Sequence, residues 1–435
     1  MFRRLPLALV AFGIAMSTCA SMTSAQSMGL REAADAADLN FGAAVTTDAL
    51  VTDEAYRDLL VDNVNMVSTV DEVAFAVVQP APGVYDFTRA DTLVDFADSN
   101  DMTARGHGLV TADGLPDWIV NGAWTAETLG KVLSDHVTSV VSRYAERNPG
   151  VVTQWDVVDE AFLPDGTLRD SIWRRVIGDD YLRIAFEAAR AADPAAQLFY
   201  DDFYDDLSVT QDAVDNGVAI VPGATTQRSN CADVPKCVGV QTTVAALIGA
   251  GVPIDAIGLQ SRIRSPDPVD VAQFSTWVED LGLRWAITEV DVQLPVTEIT
   301  NAESLAFQAE VYADTLSACV ESTACDTFVT WGITDRLPPT PDSTGGAFGG
   351  ALWFDATDAP KPAFDAMATV LEQSSTVVAT TELAPTTPAQ APDATVAPGS
   401  GTGTSTGSGV TTGFVIGGIA LCAVAAVVVV LRRRR

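Results

Sequence analysis

Eight short apolar segments recur along the chain with helical patterns between them. They are Asn40–Val45, Val64–Ser68, Thr103–Leu109, Val151–Val157, Gln197–Tyr200, Ala256–Gln260, Arg284–Thr288 and Thr327–Trp331. Each is a run of four to seven residues rich in β-branched and aromatic side chains, with little polar alternation. A strand buried on both faces of a sheet has that signature. The intervals Thr125–Asn148, Asp179–Ala192, Val240–Gly249, Val269–Asp280 and Ala302–Cys319 place apolar residues at helical spacing. Strands alternating with helices predict an α/β fold, and eight of them predict one (β/α)8 barrel forming a single domain.

The two ends of the chain follow other patterns. Arg3 and Arg4 precede an apolar run from Leu5 to Met16, and small residues follow to Ala25. That reads as a secretory signal over residues 1–25. Cys19 leaves a lipoprotein signal as the alternative, although Met16-Ser17-Thr18 makes a poor lipobox. Residues 374–412 are rich in Thr, Ala, Pro, Ser and Gly and read as a flexible stalk. Residues 413–431 form an uncharged apolar run long enough to span a bilayer core of ~30 Å. Arg432 to Arg435 follow, a basic cytoplasmic tail by the positive-inside rule. The alternative is a C-terminal signal that is removed. The expectation is an exported barrel, residues 26–373, held at the cell surface by one C-terminal transmembrane helix.

Charge narrows the partners. The chain has 435 residues and a formal net charge of −32, and setting aside the arginines at the two ends makes the remainder more negative. Such a surface repels nucleic acid and anionic lipid, so no nucleic-acid partner is expected. It suits a soluble monomer in a salty medium, where screening softens self-repulsion.

Six cysteines are present. Cys19 and Cys422 fall in the two terminal apolar runs. The others form two close pairs, Cys231 with Cys237 and Cys319 with Cys325. Export to an oxidising compartment favours two local disulfides. Zinc is the rival, but the six-residue spacing is wrong for the usual knuckles and only His107 and His136 exist to complete a site.

Candidate chemistry collects where the predicted strands end, the catalytic face of such a barrel. These ends offer His107, Asp159 with Glu160, Asp201 with Asp202, Gln260 with Arg262, Glu289 with Asp291, and Trp331. Two runs stand out, Trp155-Asp-Val-Val-Asp-Glu160 and Ile287-Thr-Glu-Val-Asp291, each an apolar strand ending in acids. Two carboxyl groups delivered to one cleft can break a glycosidic bond. Acids, an amide and an indole face suit a sugar, whose hydroxyls need hydrogen bonds and whose ring faces are apolar. Asp201-Asp202 followed by Asp205-Asp206 leaves calcium as a further possibility.

These two runs resemble the acid/base and nucleophile motifs of glycoside hydrolase family 10, the retaining β-1,4-xylanases. Phe41-Gly-Ala-Ala44, Arg105-Gly-His107, Leu115-Pro-Asp-Trp118, Ile254 to Ser261, Val329 to Asp335 and Phe354 to Pro362 extend the resemblance in order over roughly residues 28 to 370. It implies a (β/α)8 barrel, Glu160 as acid/base, Glu289 as nucleophile, and His107, Gln260 and Trp331 in contact with sugar. It also implies a disulfide at Cys319 and Cys325, and the chemistry needs no cofactor or metal; the alternative to calcium is an acidic loop in which Asp202 orients the acid/base region.

The departures from the family are as informative. Asp159 stands where the family has Asn, and Arg262 where it has His; they change charge in opposite senses, with Asp291 the expected partner of Arg262. Thr111, Ala112, Gly114, Val70, Asp71, Ala74 and Leu337-Pro-Pro339 replace groups that in the family hold sugar. Two functions are expected. One is an endo-acting β-1,4-xylanase-like hydrolase; the other is a surface glycan-binding protein that has lost turnover.

Overall fold

The computed structural model describes residues 29–204, 231–263, 271–339 and 345–382. Ten strands appear among them. These are β1 (Asn40–Ala44), β2 (Met66–Ser68), β3 (Thr103–Gly106), β4 (Val152–Asp159), β5 (Gln197–Phe203), β6 (Ala256–Ile263), β7 (Arg284–Val292), β8 (Leu294–Pro295), β9 (Cys325–Thr330) and β10 (Phe348–Gly349). Strands β1 to β7 and β9 close in order into one parallel barrel, while β8 and β10 form a two-stranded antiparallel ribbon. All eight predicted strand positions lie in the barrel.

The strand ends differ from the sequence reading in a consistent way. β4 runs to Asp159, β5 to Phe203, β6 to Ile263 and β7 to Val292, each beyond the predicted stop. Asp159, Asp201, Asp202, Glu289, Asp291 and Arg262 therefore sit on the strands, and Glu160 directly follows β4. A charged residue ends an apolar run by pattern. Here it continues as strand because the ladder satisfies its backbone and partners inside the barrel satisfy its side chain. β3 is shorter than expected and stops at Gly106, so His107 lies just past its end.

Register shifts fall at these positions. Leu259 pairs with Ile287 but Gln260 pairs with Glu289, so β7 carries one extra residue, Thr288. β4 carries a similar irregularity between Asp156 and Val158, after which Asp159 pairs with Asp201. Bulges re-aim side chains next to active sites.

The outer layer holds the expected helices, including Ala126–Arg147, Tyr181–Ala192, Pro235–Gly249, Val271–Asp280 and Ala302–Glu321. The closing helix, Pro362–Glu382, runs past Ser374 into the segment read as stalk. Ala363, Met367 and Leu371 on it are buried at a helical spacing that the Thr- and Ser-rich composition after them hides. Among the described residues no helix is long and apolar enough to cross a membrane. The apolar run 413–431, the signal 1–25 and Asp205-Asp206 lie outside the described residues. Cys231–Cys237 and Cys319–Cys325 are both disulfides, with Cα atoms 5.4 and 5.2 Å apart.

Candidate active site

Arg105, near the end of β3, anchors the floor of the site. Its guanidinium is fully buried, pairs with both oxygens of Asp156, donates to Gln154 Oε1 at 2.7 Å and stacks 4.1 Å from the Phe199 ring centre. A buried cation needs such complete pairing to repay its lost hydration. Asp156 Oδ2 also lies 3.1 Å from His107 Nδ1, so it fixes the imidazole.

His107 points its other nitrogen into a ring of acids. Nε2 is 3.4 Å from Glu289 Oε1 and 4.0 Å from Asp159 Oδ2. Burial alone disfavours the imidazolium, but the charges of Asp159 and Glu289 and the bond from Asp156 outweigh it and hold the pKa well above the usual range. The surrounding acids therefore favour the charged form of His107.

Asp159 and Asp201 face each other across the β4–β5 register and share one amide. Gln260 Nε2 donates to Asp159 Oδ1 at 2.9 Å and to Asp201 Oδ2 at 3.1 Å. Thr288, the extra residue of β7, donates to Asp201 Oδ1 at 2.6 Å. Burial first, then neighbouring acids, drive both carboxyl groups well above the ordinary range, with His107 opposing. Gly258 permits the approach, since a Cβ there would meet Asp201 Oδ1 at 1.8 Å.

Asp202 points the other way. Its Oδ1 is 2.5 Å from Lys236 Nζ, its Oδ2 accepts from the Tyr200 hydroxyl at 2.5 Å, and that hydroxyl in turn accepts from the Ala161 amide at 3.2 Å. Lys236 sits 3.1 Å over the Phe203 ring centre. Burial raises the Asp202 pKa to about 6 against the pull of Lys236. The chain from Asp202 through Tyr200 to the Ala161 amide reaches the backbone beside Glu160.

Glu160 and Glu289 sit in different surroundings. Glu160 follows β4 with a left-handed backbone, φ 47°, and its amide donates to Asp201 O at 3.0 Å. That region is uncommon for a residue with a β-carbon and marks a position held by its surroundings. Its side chain is 40% exposed and 3.5 Å from Arg169 Nη2, whereas only 4% of the Glu289 side chain is exposed. Glu289 is close enough to Glu160 for the two charges to interact; burial, with that repulsion added, raises the Glu289 pKa, while Arg262 and His107 oppose.

Arg262 departs from its expected pairing. Its Nε and Nη2 both donate to Glu289 Oε2, at 3.0 and 2.9 Å, so the guanidinium grips the candidate nucleophile itself. Asp291, two residues along β7 and in register with Arg262, acts on it electrostatically and accepts from Gln293 Nε2 at 3.2 Å. The register explains the difference: the bulge at Thr288 sets Glu289 level with Gln260, within reach of the long Arg262 side chain. Trp331 is also not an open platform. The residue is 4% exposed, with the Arg262 guanidinium 4.6 Å from its ring centre and the His107 ring centre 5.2 Å away, the two rings edge to face. It backs the two basic side chains that face Glu289.

Arg105, Asp156, Arg169, Tyr200, Lys236 and Thr288 were not singled out from the sequence. Asp156 lies inside the Trp155–Glu160 run, and its charge in an apolar strand was the available signal. Arg105 and Thr288 lie inside the quoted Arg105-Gly-His107 and Ile287–Asp291 runs without a role read for them, while Arg169, Tyr200 and Lys236 carry no signal, because barrel closure alone brings them to the site. His107, Asp156 and Asp201 place potential metal-ligand atoms within 4.8 Å of one another. Arg105 already satisfies both oxygens of Asp156, which fits a hydrogen-bonded charge network.

An eight-stranded parallel barrel with two glutamates at the ends of β4 and β7 defines a glycosidase-type site. The family model for Glycosyl hydrolase family 10 matches residues 29–222 and 228–370. Endo-1,4-beta-xylanase B of Thermotoga neapolitana is 31% identical over 361 residues, covering 82% of this chain and 95% of that relative. Endo-1,4-beta-xylanase A of Phanerodontia chrysosporium is 31% identical over 333 residues, 76% of this chain and 74% of the relative. Native xylanase 10B from Thermotoga maritima superposes with a TM-score of 0.68 at 32% identity, covering 80% of this chain and all of that one. Xylanase 10B from Thermotoga petrophila, solved in complex with xylobiose, gives 0.69 at 32% identity, with 80% of this chain and 99% of that chain covered. The chain belongs to glycosyl hydrolase family 10 and is a glycoside hydrolase of the xylanase-like kind.

Proposed function

We propose that this chain cleaves β-1,4-linked polysaccharide of the xylan type within the chain and with retained configuration. The observation that carries the reading is the pair of dissimilar glutamates near enough for their charges to interact, exposed Glu160 after β4 and buried Glu289 on β7. Glu289 attacks the anomeric carbon while Glu160 gives its proton to the leaving oxygen. Water then attacks the glycosyl-enzyme, Glu160 takes its proton, and Glu289 leaves as a carboxylate. The xylobiose complex of the Thermotoga petrophila relative supports a xylose-based substrate. Asp159, Gln260 and His107 meet the sugar beside Glu289, and no step requires a cofactor. The test is hydrolysis of β-1,4-linked polysaccharides and aryl β-glycosides by the full chain beside Glu289→Ala. Turnover that vanishes in the variant supports the reading. Glycan binding without turnover on any substrate would make the chain a binding protein.

The sequence supports a location as well. A signal over residues 1–25, the barrel from 26, a Thr- and Pro-rich stalk after the closing helix, an apolar span at 413–431 and the basic tail 432–435, all read from the sequence, support an enzyme held on the outer surface of its cell. Protease accessibility of the barrel on intact cells, with the barrel retained in the membrane fraction, tests that placement.

A further inference from the structure

Arg262 meets Glu289 through a geometry that bears on which step of the reaction limits the rate. Two N–H groups converge on one carboxylate oxygen, Oε2, at 3.0 and 2.9 Å. Oε1 lies on the other side, 3.4 Å from His107 Nε2. The guanidinium is pinned from behind by Trp331, 4.6 Å from its centre, so it cannot swing away without losing that stack. Little water reaches the pair, since Glu289 is 4% and Arg262 22% exposed at the side chain. Charge-assisted bonds in such a setting are among the stronger ones, and Arg presents them as a rigid fork.

That contact is made in full only while Glu289 is a carboxylate. When Oε1 bonds to the anomeric carbon, Glu289 becomes a neutral ester, and Oε2 becomes an acyl oxygen that accepts far less from a cation. An interaction stronger in the ground state than in the transition state raises the barrier. The same interaction regenerates as Glu289 departs, which lowers the barrier for release. We infer that Arg262 makes Glu289 a slow nucleophile and a fast leaving group, so that formation of the glycosyl-enzyme limits turnover and the intermediate does not accumulate. Arg262 is a positioning residue, acting through Glu289 and not on the sugar. The inference rests on the proposed retaining mechanism.

In the first step the Oε1–C1 bond forms, the C1–O bond to the leaving group breaks, and the Glu160 proton moves to the leaving oxygen. In the second a water O–C1 bond forms, C1–Oε1 breaks and Glu160 recovers its proton. Rapid mixing of the full chain with 2,4-dinitrophenyl β-xylobioside separates the steps. The native enzyme is expected to release phenolate with no burst, and Arg262→Gln with a burst of about one equivalent per active site, the kinetic fingerprint of an accumulating covalent intermediate. A stoichiometric burst from the native enzyme overturns the inference, as does an active Arg262→Gln without one. A second measurement needs only the native enzyme and so does not depend on the variant folding. Across a series of aryl β-xylobiosides, kcat should rise with leaving-group acidity, and a flat series overturns the inference. The first product anomer and the Glu289→Ala variant are measured on the same substrates. If the β-anomer appears first and Glu289→Ala is dead, the retaining mechanism stands whatever the burst shows; an α-anomer first removes both.

Discussion

Glu289 is a carboxylate that burial pushes up and Arg262 pulls down. It must be ionised to attack, so kcat/KM should fall on the acid side as pH drops through a pKa above 4.5. The Arg262 charge is the main counterweight to burial, so Arg262→Leu should move that acid limb to higher pH; an unmoved limb would remove Arg262 from the ionisation of Glu289. Glu160→Ala should slow hydrolysis of unactivated substrates by about 10²–10⁴-fold, the range of general acid–base catalysis. The two glutamates were legible because each closes a recognisable apolar run. Arg262 was legible as a departure from the family, but its partner was not. Asp291 and Glu289 are two residues apart on one strand, and only the bulge at Thr288 decides which of them the guanidinium meets. The burial of Trp331 was not legible for a related reason, since a sequence shows an aromatic residue but not the cation stacked on it.

The element scale is where buried charge does most to shape stability. Asp202 on β5 and Lys236 on the helix Pro235–Gly249 are both buried, and Tyr200 ties the pair to the backbone at Ala161. Asp202→Asn strands Lys236 and should cost about 3–5 kcal/mol, whereas Asp202→Asn with Lys236→Met should recover most of it. Chemical denaturation of the three proteins checks this. The pKa of Asp202 rises on folding from 3.8 to about 6. The native state therefore keeps a proton that the unfolded chain has already lost between those values. Its contribution to stability is full below pH 4 and declines as pH rises to 6, and the double variant should lack this component. The disulfide Cys319–Cys325 joins the end of the helix Ala302–Glu321 to the start of β9. Replacing both cysteines with Ala should cost about 2 kcal/mol for so short a loop, read from the denaturation midpoint. The order of the strands was readable in advance and their C-terminal ends were not. Acids and Arg262 on the strand ends look like loop residues until the network of Gln260, Thr288 and Arg105 that satisfies the site is assembled.

At the scale of the whole molecule, the barrel has to hold a charge of −32 over the chain together with a site that concentrates acids. Self-repulsion of that size is long-range and screened by salt. The melting temperature should therefore rise between 10 mM and 1 M sodium chloride, and a flat response would show that local pairs such as Arg336 with Asp358 already offset the repulsion. The barrel architecture was legible because it depends on repeated apolar strands and amphipathic helices. The site was legible where its residues end recognisable apolar runs, while contacts such as Arg169 with Glu160 exist only after closure. The same closure brings Glu160 and Glu289 near enough for their charges to interact, and retention requires their carboxyl groups to act on one sugar. Proton NMR of a xylo-oligosaccharide during the first minutes of hydrolysis tests that most directly. The account predicts that the β-anomer of the product appears first and that Glu289→Ala produces none. An α-anomer appearing first, or turnover undiminished in Glu289→Ala, would contradict it.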